Sequence, residues 1–352
     1  MNEKKYVKIV VSIIAGILML CIAIVVIIDP YFHYHAPIGG AYIMDNERYQ
    51  NYGIIRHFEY DAIITGTSMT ENFKASEFDE LFNVKSIKVA CEGGDFPEID
   101  RLINFALEKN KNVKYIVRGL DYSMIEEDKN IKRLEDAEYP TYLYNENPFD
   151  DINYVLSKTA LLRCGEFILN TISGGTATTF DEYKNWSSLF PYGKEAVMYY
   201  HNRGEKTTKI KKMEDEDRNR IVDNIEENVI KTIKQNPEVT FYLFFPPYSI
   251  AYWDDCNQRG LVPYKIEMEK IVVEMLLEYE NVRLFSFTNN YEIICNLDNY
   301  KDTAHYGEWI NSDILKWMAE GKYELTKDNY EAYLEEIEQF YLRYDYDSLF
   351  AE

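Results

Sequence analysis

The chain opens on an uninterrupted apolar run, Ile9 to Ile28, with no charged position inside it. Lys4, Lys5 and Lys8 precede the run and Asp29-Pro30 closes it. About 20 apolar residues suffice to cross the hydrocarbon core of a bilayer, so the pattern predicts one transmembrane helix. Lysines on its N-terminal side keep that end in the cytoplasm and put the remaining chain outside. A cleaved signal peptide usually has a shorter apolar region, followed by a small-residue cleavage site. Ile27-Ile28-Asp29-Pro30 is not such a site, and Leu20 before Cys21 is too large for lipoprotein processing. The expectation is a retained signal anchor, residues 1–30.

Beyond a juxtamembrane segment, 31–58, short apolar runs alternate with amphipathic stretches. Asp61–Thr65, Val113–Val117, Val239–Phe245 and Val282–Phe285 read as strands, as does Val84–Val89, though Lys85 and Lys88 break its apolar run. Apolar runs of this length, bounded by Gly or Pro, fit buried parallel strands. Between them, Ile99, Leu102, Ile103, Ala106 and Leu107 share one helical face. Ile221, Ile225, Val229 and Ile233 share another, and Tyr264 to Leu277 repeats the pattern with Ile271 and Met275. Alternation of strand and helix implies right-handed crossovers and an α/β fold. The predicted domain covers 59–322 and carries a long insertion, 123–214, with one helix over Ile152–Ile172. The insertion either caps the sheet edge where a site opens or forms a surface excursion. Residues 323–352, with helical spacing from Leu325 to Leu342, form a C-terminal helical extension.

Composition narrows the function. The 352 residues carry a formal net charge of -22, with a pI of about 4.7. Such a surface repels phosphate backbones, so nucleic-acid binding is not expected. The 31 Tyr and 18 Phe suit amphipathic ligands such as sugars, although core packing accounts for aromatic richness equally well. Cys21, Cys91, Cys164, Cys256 and Cys295 are widely and irregularly spaced. They suggest no metal site, and both one or two disulfides in an oxidising exterior and buried free thiols fit them. There is no His-x-x-x-His and no glycine-rich phosphate loop, so no metal or cofactor is expected.

One constellation carries chemistry. Gly66-Thr67-Ser68 directly follows the first strand, which places a serine at the carboxyl edge of the sheet, where ligands bind in open α/β folds. The same serine also suits a plain helix N-cap. Asp302 lies three residues before His305, after the last predicted strand, and Trp309-Ile310 begins a helical pattern beyond it. A carboxylate at that spacing can orient the imidazole and stabilise its protonated form. Hydroxyl, imidazole and carboxylate together are the set that nucleophilic acyl transfer uses.

These residues resemble the blocks of the SGNH/GDSL hydrolase superfamily, over about Asp61 to Trp317. The resemblance implies a flavodoxin-like three-layer α/β/α sandwich with a mainly parallel sheet. It also implies Ser68 as nucleophile, Asp302 and His305 as acid and base, and the backbone N–H of Gly93 as an oxyanion donor. Many members carry Gly-x-Asn-Asp in the third block, its asparagine a second donor. Here Gly119-Leu120-Asp121 stands in that place, and an ionised carboxylate donates no hydrogen bond. Thr67 replaces a frequent aspartate. Thr67, Gly94 and Asp121 are therefore expected to line the site rather than react. The anchor, the Gly-Thr-Ser-x-Thr form ending at Thr70, and Phe245-Pro246-Pro247-Tyr248 are similar to a membrane-anchored subset. That subset includes the D-alanyl transfer and polysaccharide O-acetylation proteins that work with a membrane-bound O-acyltransferase.

The implied function is an extracytoplasmic, membrane-anchored serine acyltransferase or esterase acting on acyl esters of a cell-envelope polysaccharide or polymer. Its implied partners are a membrane-bound O-acyltransferase and the wall polymer. The alternative is a non-catalytic scaffold of the same fold in an envelope-modifying complex.

Overall fold

The computed structural model describes residues 3–133, 139–201 and 203–350. The chain divides into two compact units: Met1–Glu59 with Leu134–Lys184, and Tyr60–Arg133 with Asn185–Glu352.

The second unit is α/β. Its six-stranded sheet has the order β2-β1-β3-β4-β5-β6, with β1 Ala62–Thr65, β2 Ser86–Lys88, β3 Tyr115–Gly119, β4 Thr240–Phe245, β5 Val282–Ser286 and β6 Glu324–Leu325. β1 to β5 run parallel, and β6 is antiparallel to β5. Ile63 sits beside Ile87 on one side and Ile116 on the other. Every residue of β1 and β2 is buried, as are all but the first of β3 and β4. Burial on both faces is what near-continuous apolar strands require.

The connecting helices bury the faces that the sequence pattern marks. Phe96–Lys109 begins with Asp95, whose side chain accepts the Glu98 N–H at 2.8 Å, and it buries Ile99, Leu102, Ile103, Ala106 and Leu107. The helix expected over Asp215–Ile233 runs Asp215–Gln235 through a π-turn at Glu226–Ile230, where the Asn228 carbonyl accepts from buried Arg118 at 2.8 Å. Residues 323–350 pack on the α/β unit. Glu324–Leu325 extends the sheet, Arg283 Nε donates to Glu324 at 2.7 Å, and helix Tyr330–Arg343 buries Tyr333, Leu334, Ile337 and Tyr341. That helix packs on Val262–Leu276. A two-residue antiparallel strand leaves too short a pattern to read.

The first unit carries helix Glu3–Ile28, 26 residues long with a mean hydropathy of 3.2 across its apolar window, long and apolar enough to cross a membrane. Its C-terminal end is tied down by Asp29, which is 1% exposed. That carboxylate accepts from the backbone N–H groups of His33, Tyr34 and His35 at 2.7–3.0 Å and from the Tyr154 hydroxyl at 2.6 Å. Arg56 donates to His33 Nδ1 at 3.0 Å. Arginine cannot accept, so the His33 proton sits on Nε2, 3.1 Å from Asp151. Val25, Tyr31, Leu143, Tyr154, Val155, Ala160 and Cys164 share a small core here.

The expected insertion 123–214 is therefore not one body. Among the described residues, those of 139–184 cluster with the segment 31–58, and those of 185–214 belong to the α/β unit. The helix expected over Ile152–Ile172 breaks in two at Leu156-Ser157, because Ser157 Oγ caps Ala160 N–H and starts the second helix, Lys158–Ile172. All five cysteines are unpaired.

Candidate active site

The site is built at the carboxyl end of β1. Gly66 adopts φ +146°, and a Cβ there would sit 2.7 Å from Thr70 Cγ2, so the turn admits only glycine. Thr67 caps the short helical turn Ser68–Glu71, and the Thr70 hydroxyl donates to the Thr67 carbonyl at 2.8 Å. Ser68 stands at the head of that turn and is only partly buried. β1 lies between β2 and β3, where successive connections leave in opposite directions across the sheet. Ligand crevices in open α/β sheets form at such a switch.

The partner residues come from a loop more than two hundred positions away. Tyr300 and Tyr306 bridge, and Lys301 N–H donates to the His305 carbonyl at 3.0 Å, closing a tight loop. Inside it, Asp302 Oδ1 accepts the backbone N–H groups of Ala304 and His305 at 2.9 and 2.8 Å. Asp302 Oδ2 faces His305 Nδ1 at 2.8 Å. A carboxylate only accepts, so the ring proton resides on Nδ1 and leaves Nε2 to accept from Ser68 Oγ, 2.8 Å away. Burial opposes the Asp302 charge, but the bonds from the His305 ring and the two backbone N–H groups outweigh it and hold the acid below the ordinary carboxylate range.

Neighbouring segments brace both halves. Asn311 Nδ2 donates to the Met69 carbonyl at 3.0 Å, joining the helix after His305 to the turn that holds Ser68. Ser249 Oγ donates to Thr303 O at 2.7 Å and the Tyr300 hydroxyl to Pro247 O at 2.7 Å, so the Pro-Pro-Tyr-Ser segment after β4 holds the loop that carries Asp302 and His305. Trp186 donates from Nε1 to Ser68 O at 3.2 Å, and its ring meets the His305 ring edge-on, centroids 5.5 Å apart. Lys301 Nζ lies 4.1 Å from the Trp186 centroid and 3.9 Å from that of Phe190. Burial lowers the Lys301 pKa, opposed by the nearby charges of Asp302, Glu71 and Glu92. Nothing in the spacing of Trp186, Ser249 or Lys301 marks them in the sequence, because their roles exist only in tertiary contact; Tyr248 is marked only as part of Phe245-Pro246-Pro247-Tyr248.

Thr67, Gly94 and Asp121 are all buried. Asp121 accepts from the Thr67 hydroxyl at 2.8 Å and from the Tyr248 hydroxyl at 2.6 Å. Burial raises its pKa, only partly offset by the bonds from Tyr248 and Thr67 and the field of His305. At Gly94 a Cβ would stand 2.7 Å from Cys91 Cβ, so this glycine answers to packing. Gly93 is exposed, at φ +61°. Among the described residues, the backbone N–H groups of Ser68 and Gly93 find no protein acceptor.

The remaining histidines serve elsewhere: His201 pairs with Asp254 at 2.7 Å, and His33, His35 and His57 belong to the first unit. Among the described residues no group of His, Cys, Asp or Glu is arranged to hold a metal ion. No family model, no curated protein and no solved structure matches this chain.

Proposed function

We propose that the α/β unit is a serine enzyme of acyl transfer, tethered by its N-terminal helix to the outer face of a membrane and acting on acyl esters of a cell-envelope polymer. The observation that carries this reading is the continuous Ser68–His305–Asp302 hydrogen-bond chain on a part-exposed nucleophile. As Ser68 Oγ bonds to the acyl carbon, its proton passes to His305 Nε2, and the developing imidazolium is stabilised by Asp302. His305 then returns the proton to the departing alkoxide or thiolate. An acceptor hydroxyl next attacks the acyl-serine and gives its proton to His305, which passes it to Ser68 Oγ as the acyl–Oγ bond breaks. A sugar or polyol acceptor gives transfer and water gives hydrolysis. The Ser68 and Gly93 N–H groups, having no protein acceptor, are the oxyanion donors this reading assigns.

The strand order β2-β1-β3-β4-β5 is the flavodoxin-like order, which supports the resemblance to SGNH hydrolases. The Trp186–Lys301–Phe190 edge beside His305 suits a sugar face with an anionic substituent, in keeping with a wall-polymer substrate. A membrane-bound O-acyltransferase is the partner this reading implies as the source of acyl groups. The test is turnover of an activated acetyl ester by the full-length chain in detergent, with and without a polyol acceptor. Ser68→Ala is expected to lower turnover by about four to six orders of magnitude. Equal rates in wild type and variant would refute catalysis by this serine.

A further inference from the structure

The unit that carries the N-terminal helix presents a second apolar surface that its own core does not use. Helix Lys158–Ile172 packs one side on the end of helix Glu3–Ile28. Ala160 and Cys164 are buried there with Val25, and Ile22, Ile24 and Ile28 pack against the same core. The other side is open. Leu162, Leu169 and Ile172 are 58%, 63% and 74% exposed. At 100° per residue they fall, with Gly165, in one narrow stripe. Ile168 lies beside it at 43% exposure, and Ile152 and Leu156, just before the helix, are exposed as well. Ile43, Leu169 and Ile172, with Glu166, Asn170 and Ser173, line an open hollow of about 700 Å³ at the helix end.

Length fixes the depth of this surface. Between Lys8 and Asp29 lie only Ile9 to Ile28. At about 1.5 Å per residue that run is about 30 Å long, the thickness of a hydrocarbon core, with no turn to spare. The turns needed to complete the crossing, around Ile22 to Ile28, are the ones helix Lys158–Ile172 packs against. A helix lying alongside those turns is at the level of the outer acyl chains. Its polar flank is satisfied within the unit, since Arg163 pairs with Asp45 at 2.8 Å and Glu166 at 2.7 Å.

We infer that helix Lys158–Ile172 is an interfacial helix whose Leu162–Leu169–Ile172 stripe is seated in the lipid of the outer leaflet. This rests on reading Glu3–Ile28 as a membrane span. It makes the first unit a lipid-embedded platform rather than a single tether.

The test places the full-length chain in phosphatidylcholine–phosphatidylglycerol vesicles containing a phosphatidylcholine with a diazirine on its acyl chain. After irradiation, lipid-bearing peptides are located by mass spectrometry. Adducts are expected on Ile9–Ile28 and on Leu162, Leu169 or Ile172. Leu162→Glu with Leu169→Glu is expected to abolish the second set and keep the first, which also shows that the variant still inserts. Adducts on Ile9–Ile28 alone would overturn the inference and leave the anchor intact. Adducts on neither would overturn the span itself. In a parallel sample, photo-leucine at Leu169 that cross-links to a second copy or to another membrane protein instead of lipid would also overturn it.

Discussion

At the residue scale, the site depends on which atoms can only accept. Asp302 accepts three donors and so fixes the tautomer that turns His305 Nε2 toward Ser68. Asp302→Asn keeps the shape but presents an amide to the ring and favours the wrong tautomer. A loss of about 10⁴-fold in ester turnover is expected, read from steady-state kinetics. The same acid carries a pH signature. Its folded pKa is depressed, so its stabilisation is present above the ordinary carboxylate pKa and is lost as pH falls through the lower folded value. The stability gap between wild type and Asp302→Asn, measured by urea unfolding, is therefore expected to close on acidification. A gap independent of pH would exclude this linkage. Asp121 has the opposite sign. Its pKa is raised, so its contribution is full below the unfolded carboxylate pKa and declines as pH rises through the folded value. Tyr248→Phe removes a donor from the ionised form and raises that pKa further. It is expected to cost about 1–3 kcal/mol, with a deficit that grows with pH in thermal unfolding. A deficit that shrinks with pH would contradict the assignment.

At the scale of elements, the sheet was legible and its braces were not. β1, β3, β4 and β5 show in the sequence because buried strands are largely apolar runs, β2 shows less clearly because Lys85 and Lys88 interrupt its run, Ser68 shows because it follows β1, and His305 shows because Asp302 stands three residues before it. β6 does not, being two residues long between polar neighbours. The π-turn at Glu226–Ile230 is hidden because Ile221, Ile225, Val229 and Ile233 keep helical spacing through it. Trp186 is the clearest case of a residue whose role no local pattern announces. It lies in an irregular segment, yet it touches both Ser68 and His305. Trp186→Ala is expected to loosen that pair and lower turnover by about 10²-fold, the scale of a misplaced reacting group, with little change in melting temperature. An unchanged rate would remove Trp186 from the positioning role.

At the scale of the whole molecule, the apolar N-terminal helix was legible in the sequence, and the grouping of residues 139–184 with it was not. Residues 139–184 join the segment around the N-terminal helix because Tyr154, Val155, Ala160 and Cys164 share a core with Val25 and Tyr31, a pairing of distant positions that periodicity does not encode. The chain is expected to stay with membranes through alkaline carbonate washing and to need detergent for release. Recovery in the soluble fraction would contradict the anchor. The central claim, a serine activated by His305, is tested most directly by a fluorophosphonate probe and peptide mass spectrometry on the full-length protein. The geometry predicts one adduct, on Ser68, absent from Ser68→Ala and greatly slowed in His305→Ala. No adduct on Ser68 in the folded wild type, or undiminished labelling when His305 is removed, would contradict it.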